Sequence, residues 1–362
     1  MTETTLRAPA DGFVSAFPDT RFDAILVVSF GGPEGMDDVI PFLENVTRGR
    51  NVPRERLEEV AHHYELFDGV SPINAQNRAL IDALRVEVDG RGIELPIYFG
   101  NRNWDPFLAD TLRQMADDGV ERALAFFTSA YSSYSGCRQY REDLFNAQQA
   151  VGPRAPEVLK TRAFFNHPGW IEANADHVRG ALARVATGRN AHVAFTAHSI
   201  PVAMAHACRY EDQLRESARM VAEAVGATDT ALVYQSRSGP PHVPWLEPDI
   251  LDHLRELAGR GVTDVVISPL GFVSDHLEVL FDLDIEARDT AAELGLNLVR
   301  APSAGTHPAF VAMIGELIEE RLNPSGDRSA VGRFAPSPDV CPVDCCLPGT
   351  GRPSPWAAAT SA

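Results

Sequence analysis

Eight short apolar segments occur along the chain, and each is bounded by turn-forming residues. Within each segment the apolar residues are continuous rather than alternating, which is typical of parallel strands that helices cover on both faces. The segments predict strands over residues 22–31, 95–100, 122–131, 158–165, 192–199, 230–236, 263–273 and 296–301. Amphipathic stretches between them predict helices, among them 53–66, 73–90, 105–118, 168–187, 209–225 and 248–259.

The alternation of strands and helices predicts two similar Rossmann-like α/β domains, each with a parallel four-stranded sheet flanked by helices. At 362 residues, the chain is also longer than a single hydrophobic core usually serves. We expect four parts along it. They are a flexible N-terminus over 1–20, an N-terminal domain over 21–168, a C-terminal domain over 169–322 and a tail over 323–362.

Pro, Gly, Ser and Ala dominate the tail, so most of it is expected to be a flexible extension. The hexapeptide CPVDCC at 341–346 is the exception, because three thiols in six residues have no packing role there. They indicate ligands for Zn²⁺ or for an iron–sulfur cluster, and either group needs a fourth ligand, Cys137 or Cys208. The adjacent Cys345 and Cys346 suit the two irons of a [2Fe–2S] cluster, which favours the cluster over zinc.

The chain carries 50 acidic and 32 basic residues, a net charge of −18. Binding to nucleic acid or to an anionic membrane surface requires a basic patch, so the charge argues against both. No apolar run approaches the ~20 residues of a membrane-spanning helix. The first 20 residues also lack the pattern of a signal peptide. We therefore expect a cytoplasmic monomer without stable membrane insertion.

Parallel α/β sheets bind ligands beyond the carboxyl ends of their strands, so the residues that follow each strand are the candidates for function. The first strand runs into SFGGP at 29–33, which lacks the GxGxxG pattern of a dinucleotide site. The GxSxG nucleophile elbow of a hydrolase is also absent from the chain. The fifth strand ends at His198, which is either a structural histidine or a functional group at the ligand edge.

The seventh strand leads to a row of carboxylates. In a helix that begins near Asp275, the side chains of Glu278, Asp282 and Glu286 fall at i, i+4 and i+8 on one face. Such a row is either a solvated acidic surface or a line of oxygen ligands that delivers a cation to Glu278. Carboxylate oxygens with a nearby imidazole suit Fe²⁺ or another labile divalent ion.

The motifs at these strand ends, taken together, resemble those of the ferrochelatase family. They cover residues 22–322 in one collinear order, which makes the resemblance specific. The matching stretches are SFGGPEG (29–35), ENVTRGR (44–50), GVSPINAQNR (69–78), FGNRNWDPF (99–107), FTAHSIP (195–201), QSRSGPP with PWLEPD (235–249) and SPLGFVSDHLEVLFDLDIE (268–286).

The resemblance implies a two-domain chelatase fold with a porphyrin bound in the cleft between the halves. It puts the family's iron-site histidine and glutamate at His198 and Glu278, the residues that the strand ends also select. The family's porphyrin-contacting positions fall on Phe30, Thr47, Arg48, His63, Ser71, Arg102 and Tyr140. Phe30 stands where a tyrosine is common, and Thr47 and His63 stand where arginines hold propionates.

The CPVDCC motif resembles the tails of actinobacterial members, a group that acts on coproporphyrin III rather than protoporphyrin IX. Cys137 falls close to the internal cluster cysteine of the animal enzymes. The resemblance therefore implies a [2Fe–2S] cluster held by Cys137, Cys341, Cys345 and Cys346, with Cys208 in reserve. We expect this cluster to have a structural or sensing role and no part in the insertion chemistry.

The expected enzyme is a lyase that inserts ferrous iron into coproporphyrin III and yields Fe-coproporphyrin III in haem b biosynthesis. His198 is either the acceptor of the pyrrole protons or a first iron ligand, and Glu278 binds the iron or relays a proton. Asp282 and Glu286 would form a delivery line for iron. The alternatives are a protoporphyrin IX ferrochelatase, a chelatase for another metal or tetrapyrrole, and a non-catalytic porphyrin-binding protein.

Overall fold

The computed structural model describes residues 21–50, 52–186, 191–342 and 344–349, so the segment expected to be flexible at 1–20 lies outside the described residues. All eight predicted strands are present. They are β1 (Ala24–Ser29), β2 (Ile97–Asn101), β3 (Arg122–Phe127), β4 (Glu157–Lys160), β5 (His192–His198), β6 (Thr230–Gln235), β7 (Asp264–Ser268) and β8 (Asn297–Arg300).

The helices named in the sequence prediction are also present, with ends within a few residues of those predicted. The α-helices are α1 (Met36–Val46), α2 (Arg54–Glu65), α3 (Ile73–Gly90), α4 (Leu108–Asp117), α5 (Gln139–Val151), α6 (Pro168–Leu182), α7 (Val202–His206), α8 (Tyr210–Val225), α9 (Ile250–Gly259), α10 (Leu277–Val279), α11 (Arg288–Glu293) and α12 (Pro308–Leu322). The described residues also include a π-helical turn at Tyr134–Arg138 and a π-helical segment at Leu280–Ala287.

The strands form two parallel sheets of four strands with the same topology, in the orders β2-β1-β3-β4 and β6-β5-β7-β8. This confirms the predicted fold class of two similar Rossmann-like domains. The strand predicted over 263–273 was too long, because Pro269 follows β7 and a proline donates no ladder hydrogen bond. The predicted boundaries at 168 and 322 remain predictions.

One central layer of apolar side chains joins the two halves. Alternate residues of β1, such as Ile25 and Val27, and of β5, such as Val193 and Phe195, belong to the same buried cluster. The opposite faces of the two sheets pack against separate clusters. Because each strand is buried on both faces, its apolar run is continuous, as the sequence pattern indicated.

Helices α6 and α12 lie in this central layer and make reciprocal contacts. His167 Nε2 lies 3.4 Å from a Glu316 carboxylate oxygen, and His307 Nε2 lies 3.4 Å from an Asp176 carboxylate oxygen. Each histidine also precedes the first residue of its helix and accepts the N–H two residues on through Nδ1, at 3.2 Å in both cases. The repeated arrangement is a local two-fold relation between the halves.

The described part of the tail does not behave as the loose extension that its composition predicted. Val331 N–H donates to the Asn166 carbonyl at 2.9 Å, and Arg333 N–H donates to a Glu216 carboxylate oxygen at 2.7 Å. Phe334 packs on Phe165 with ring centroids 6.0 Å apart. A few such anchors outweigh the flexibility of a Pro- and Gly-rich composition, because each fixes several neighbouring residues.

Candidate functional site

His198 and Glu278 meet at the carboxyl edge of the C-terminal sheet. His198 is the last residue of β5, and Glu278 follows β7, which pairs with β5 in parallel. His198 Nε2 lies 3.5 Å from Glu278 Oε2. On the other side of the ring, Nδ1 lies 2.5 Å from the Ser199 carbonyl oxygen, so Nδ1 carries the proton and donates it to that oxygen. The ring is therefore oriented with Nε2 toward the cleft carboxylate.

Each side chain favours the charged form of the other. Burial by itself disfavours the imidazolium, but the hydrogen bond and negative charge of Glu278 outweigh it and raise the pKa of His198 above 6.5. Burial likewise disfavours the carboxylate, but His198, His276 and His63 together lower the pKa of Glu278 to about 2. The His198 side chain is 34% accessible and that of Glu278 is 52% accessible.

His276 is a second imidazole at this carboxylate, and the strand-end reasoning did not select it. Its Nδ1 lies 3.9 Å from the same Oε2 of Glu278. Burial lowers the pKa of His276, so the ring is neutral near pH 7. The signal that could have found it is its place in the segment SDHLE, two residues before Glu278.

The predicted carboxylate row continues from Glu278 along a helix of unexpected form. The helix begins at Leu277, close to the predicted start, and residues 280–287 are π-helical. Burial raises the pKa of Asp282 to about 7, and Gln235 and Ser236 both donate hydrogen bonds to its carboxylate. Burial and Asp249 raise the pKa of Glu286. Of the three carboxylates, Asp282 is half-buried, whereas Glu278 and Glu286 are exposed.

Aromatic residues and a buried arginine form part of the N-terminal domain next to the cleft. The guanidinium of Arg102 lies 4.4 Å from the Tyr140 ring centroid and 5.5 Å from that of Phe30. Asp143 pairs with this guanidinium at 2.6 Å. Tyr140 is only 5% exposed, and burial raises the pKa of its hydroxyl. Arg102 and Tyr140 are thus an internal pair, with Phe30 as the more accessible member of the group.

The other predicted porphyrin contacts lie on α1, α2 and the turns around them. Ser71 is buried, and its N–H donates to the Pro33 carbonyl at 2.9 Å. Thr47 Oγ1 donates to the Leu43 carbonyl at 2.7 Å at the end of α1. Arg48 is exposed and donates to Asn45. His63 stacks on Phe281 of the π-helical segment, with ring centroids 3.9 Å apart. Of these residues, His63 is the one that faces Glu278 closely enough to lower its pKa.

Four of the five cysteines come together where the tail meets the N-terminal domain. Cys137 and Cys345 are the neighbours that most strongly affect the pKa of the Cys341 thiol, and the Sγ atoms of Cys345 and Cys346 lie 3.3 Å apart. Cys137 is buried in the π-helical turn. Burial raises the pKa of Cys208 to about 11, and its thiol interacts electrostatically with Cys346. The choice of Cys137 over Cys208 as the fourth ligand stays a prediction.

Cationic groups surround the four thiols. Cys137 and Cys345 lower the pKa of Cys341, and Lys160 and Arg141 act in the same direction. Arg138 Nη1 also donates to the Cys345 carbonyl at 2.8 Å. Within residues 21–349 as described, no three His, Cys, Asp or Glu side chains surround one point as a single metal ion requires.

The fold and the site define a two-domain α/β protein of the chelatase type. The structure of SirB from Bacillus subtilis with Fe³⁺ superposes with a TM-score of 0.52 at 13% identity, covering 84% of this chain and 97% of that one. At this identity the likeness concerns the fold alone. In the part of the chain that the structure describes, no helix has the length and apolarity to cross a membrane.

The ferrochelatase family model matches residues 22–322. A ferrochelatase of Rhodopirellula baltica is 59% identical over 92% of this chain and 95% of its own length. A coproporphyrin III ferrochelatase of Nocardia farcinica is 54% identical over 90% of this chain and 97% of its own length. The chain therefore belongs to the ferrochelatase family, and the resemblance seen in the motifs is confirmed.

Proposed function

We propose that this protein inserts ferrous iron into coproporphyrin III and releases Fe-coproporphyrin III and two protons. The observation that carries the proposal is the His198–Glu278 pair, with Nε2 and Oε2 3.5 Å apart at the ligand edge of the sheet. Membership of the ferrochelatase family supports the reaction class, and relatives at 50–54% identity that are named for coproporphyrin III support this substrate.

His198 is the proposed acceptor for the pyrrole protons. Its Nδ1–H is committed to the Ser199 carbonyl, so Nε2 is the atom that accepts a proton in the neutral ring. Because Glu278 raises the pKa of His198, the neutral, proton-accepting ring becomes the main form only at a pH above 6.5. Glu278 stays ionised throughout the neutral range and is the proposed oxygen ligand of the incoming Fe²⁺.

The macrocycle is proposed to lie between the His198–Glu278 edge and the N-terminal domain. The proposed porphyrin-contacting residues are Phe30, Thr47, Arg48, His63, Ser71, Arg102 and Tyr140. Arg48 is the exposed cation among them, which suits contact with a propionate. Arg102 already pairs with Asp143, so we propose that it positions Tyr140 and Phe30 through cation–π contacts.

Asp282 and Glu286 are the proposed delivery line for iron. The negative charges of Glu278 and Glu286 both raise the pKa of Asp282, so the carboxylates are close enough to interact electrostatically. Like charges that close together raise the cost of keeping all three ionised. A divalent cation passing along the row relieves this repulsion, which is the physical reason for the assignment.

The four thiols of Cys137, Cys341, Cys345 and Cys346 are the proposed ligands of a [2Fe–2S] cluster. The donor set fits in number and type, and the nearby Lys160 and Arg141 suit the negative charge of a thiolate-bound cluster. When bound, the cluster would supply cross-linking between the tail and the π-helical turn. The test is the visible absorption of the purified protein together with its content of bound iron and sulfide. Both are expected to be lost in Cys341→Ser and kept in Cys208→Ser. Bound zinc in place of iron and sulfide would support the alternative, a zinc site.

One chain supplies both walls of the cleft, which supports a monomer. Ferrous iron and free thiols persist in a reducing compartment, so we propose that the enzyme acts in the cytoplasm. These two proposals are tested by the mass of the purified protein in solution and by cell fractionation.

Anaerobic insertion assays with two porphyrins test the proposed substrate. Loss of free-porphyrin fluorescence is followed after addition of Fe²⁺ to coproporphyrin III and to protoporphyrin IX in parallel. Turnover of coproporphyrin III with little or none of protoporphyrin IX is expected. Turnover of protoporphyrin IX alone would identify the alternative ferrochelatase, and tight binding without turnover would leave a porphyrin-binding protein.

A further inference from the structure

Lys160 is the only lysine in the chain, and it is buried. It is the last residue of β4 and is 4% exposed. Lysine is almost never found fully buried without a partner, because an ammonium group loses its hydration when it leaves water. Lys160 therefore needs a negative group nearby.

No carboxylate serves as that group in the part of the chain that the structure describes. Lys160 Nζ donates to the Thr161 carbonyl at 3.3 Å, and it forms no ion pair with a described residue. The next cation along the chain differs, because Arg162 pairs with Glu320 at 2.7 Å. One carbonyl engages one of the three N–H groups of an ammonium and leaves its charge uncompensated.

The sheet fixes the side of the domain to which Lys160 points. Lys160 pairs with Ala125 of β3 in the parallel ladder. Val158, two residues earlier on the same strand, belongs to the apolar cluster that includes Tyr140 and Leu144 of α5. Because alternate residues of a strand share a face, Lys160 lies on the face that α5 and the π-helical turn cover.

Cysteine thiols lie on this same face. A small cavity at the carboxyl ends of β3 and β4 is lined by both Lys160 and Cys137. Cys341 and burial raise the pKa of the Cys137 thiol, and the positive charge of Lys160 opposes them. Cys137 and Cys345 lower the pKa of Cys341, and Lys160 acts in the same direction. The charge of Lys160 thus acts on one thiol of the π-helical turn and on one of the tail.

We propose that Lys160 is the buried counter-charge of the cluster held by Cys137, Cys341, Cys345 and Cys346, and that it raises the reduction potential of this cluster. The inference rests on the proposed cluster and is independent of iron insertion. Four thiolate ligands leave a [2Fe–2S] cluster with a net negative charge, and reduction by one electron increases it. A fixed cation nearby therefore favours the reduced form.

The midpoint potential of the reconstituted protein measures this effect. Lys160→Met keeps the length of the side chain and removes its charge, whereas Lys160→Arg keeps the charge. In an anaerobic titration, dithionite supplies one electron that reduces one ferric ion to ferrous, and no bond forms or breaks.

Reduction in Lys160→Met should be about tenfold less favourable, the order that one unit charge predicts at an effective dielectric constant of about 20. Tenfold corresponds to a midpoint potential about 59 mV lower. Lys160→Arg should keep the potential of the unmodified protein. An unchanged potential in Lys160→Met would overturn the role of Lys160 and leave the cluster in place.

Arg122→Met is the matched control for the loss of a cation. Arg122 begins β3 in the same sheet and pairs with Glu157 at 2.6 Å, at the other end of the ladder from Lys160. Its removal should leave the midpoint potential unchanged. Equal shifts in Arg122→Met and Lys160→Met would reflect a general loss of positive charge and would overturn the proposal.

Thermal unfolding provides a second readout in which the sign of the effect reverses. In the cluster-bound protein, Lys160→Met should lower the Tm, because it removes the partner of the cluster. In Cys341→Ser, which is expected to bind no cluster, the same change should raise the Tm, because it removes a buried charge that has lost its partner. A lower Tm in both backgrounds would indicate a purely structural lysine and would overturn the proposal.

Neither measurement uses porphyrin, so the outcome does not depend on the proposed iron insertion. If the protein inserts iron into no porphyrin, the proposed function fails, and the two measurements still decide the role of Lys160. If the reconstituted protein holds no iron and sulfide, the cluster and the role of Lys160 toward it are both refuted, whatever the insertion assay shows.

Discussion

His63 of α2 and Phe281 of the π-helical segment stack face to face, with ring centroids 3.9 Å apart and planes 7° apart. The pair joins the two walls of the cleft, because α2 belongs to the N-terminal half and the π-helical segment to the C-terminal half. At this separation the rings are in van der Waals contact, and no flat ligand fits between them. A macrocycle that reaches His198 from this side must part the two rings.

Removal of the stack should therefore speed the entry of porphyrin. An aromatic pair contributes about 0.5–1.5 kcal/mol, so Phe281→Leu and His63→Ala should each raise the association rate constant about two- to tenfold. Stopped-flow quenching of porphyrin fluorescence measures this constant. The neighbouring exposed His62 pairs with Glu65, and His62→Ala is the control that should change nothing. Slower association in Phe281→Leu would show that the stack does not obstruct entry.

The pH profile of insertion should report His198. Its pKa is raised above 6.5 by Glu278, and the proton acceptor is the neutral ring. Activity should therefore fall as the pH drops, with a midpoint above 6.5 in kcat/KM. Glu278→Gln removes the negative charge, so the residual activity of this variant should have its midpoint at lower pH. An unchanged midpoint in Glu278→Gln would mean that a group other than His198 causes the loss of activity at low pH.

His167 should make the stability of the fold depend on pH. Burial lowers its pKa from 6.5 to about 4, so the ring is neutral near pH 7 and its contact with Glu316 is not an ion pair there. Because the pKa of His167 is lower in the folded state than in the unfolded state, the unfolded state takes up the proton more readily. The free energy of unfolding is therefore highest above pH 6.5 and decreases as the pH falls from 6.5 toward 4.

Replacement of His167 by asparagine isolates this contribution. Between about pH 7.5 and pH 5, the unmodified protein should lose roughly 2 kcal/mol more free energy of unfolding than His167→Asn. Asparagine keeps a side-chain acceptor for the N–H of Gly169, so the start of α6 stays capped. Denaturant titrations at both pH values measure the free energy of unfolding. An equal decrease in the two proteins would mean that His167 is already charged at pH 7.5.

Phe334 should be the main anchor of the tail. It packs on Phe165 and lies under the guanidinium of Arg209, 4.4 Å from its ring centroid. Phe334→Ala should lower the free energy of unfolding by about 1–3 kcal/mol and expose the following residues to proteolysis. The kcat of iron insertion should not change, because the anchor lies outside the cleft. Arg333→Ala keeps the backbone bond to Glu216 and is the control.

The sequence was sufficient to find the strands and the residues at two of their carboxyl ends. Continuous apolar runs identify buried parallel strands, and the topology of such sheets makes their carboxyl ends meet, so His198 and Glu278 could be selected without coordinates. The motif resemblance selected the same two residues independently. The carboxylate row was also visible, because spacings of four residues share a helix face whether the helix is α or π.

The remainder of the site depends on tertiary contacts that no local pattern encodes. Ser236 adopts a left-handed φ of 61°, and the stack of His63 on Phe281 joins residues 218 positions apart. Composition also misjudged the tail, because a few anchors such as Phe334 decide its packing. The π-helical form of 280–287 was missed for a related reason, since its hydrogen bonds are set by packing and not by period.

A single-turnover experiment on His198→Ala tests the central claim most directly. The variant and the unmodified protein are loaded anaerobically with coproporphyrin III and mixed with Fe²⁺, and the loss of free-porphyrin fluorescence is followed. Loading should be alike in both, while insertion in the variant should be slower by about 10²–10⁴-fold, as loss of a general base predicts. Insertion at the unmodified rate would contradict the assignment of the proton acceptor to His198.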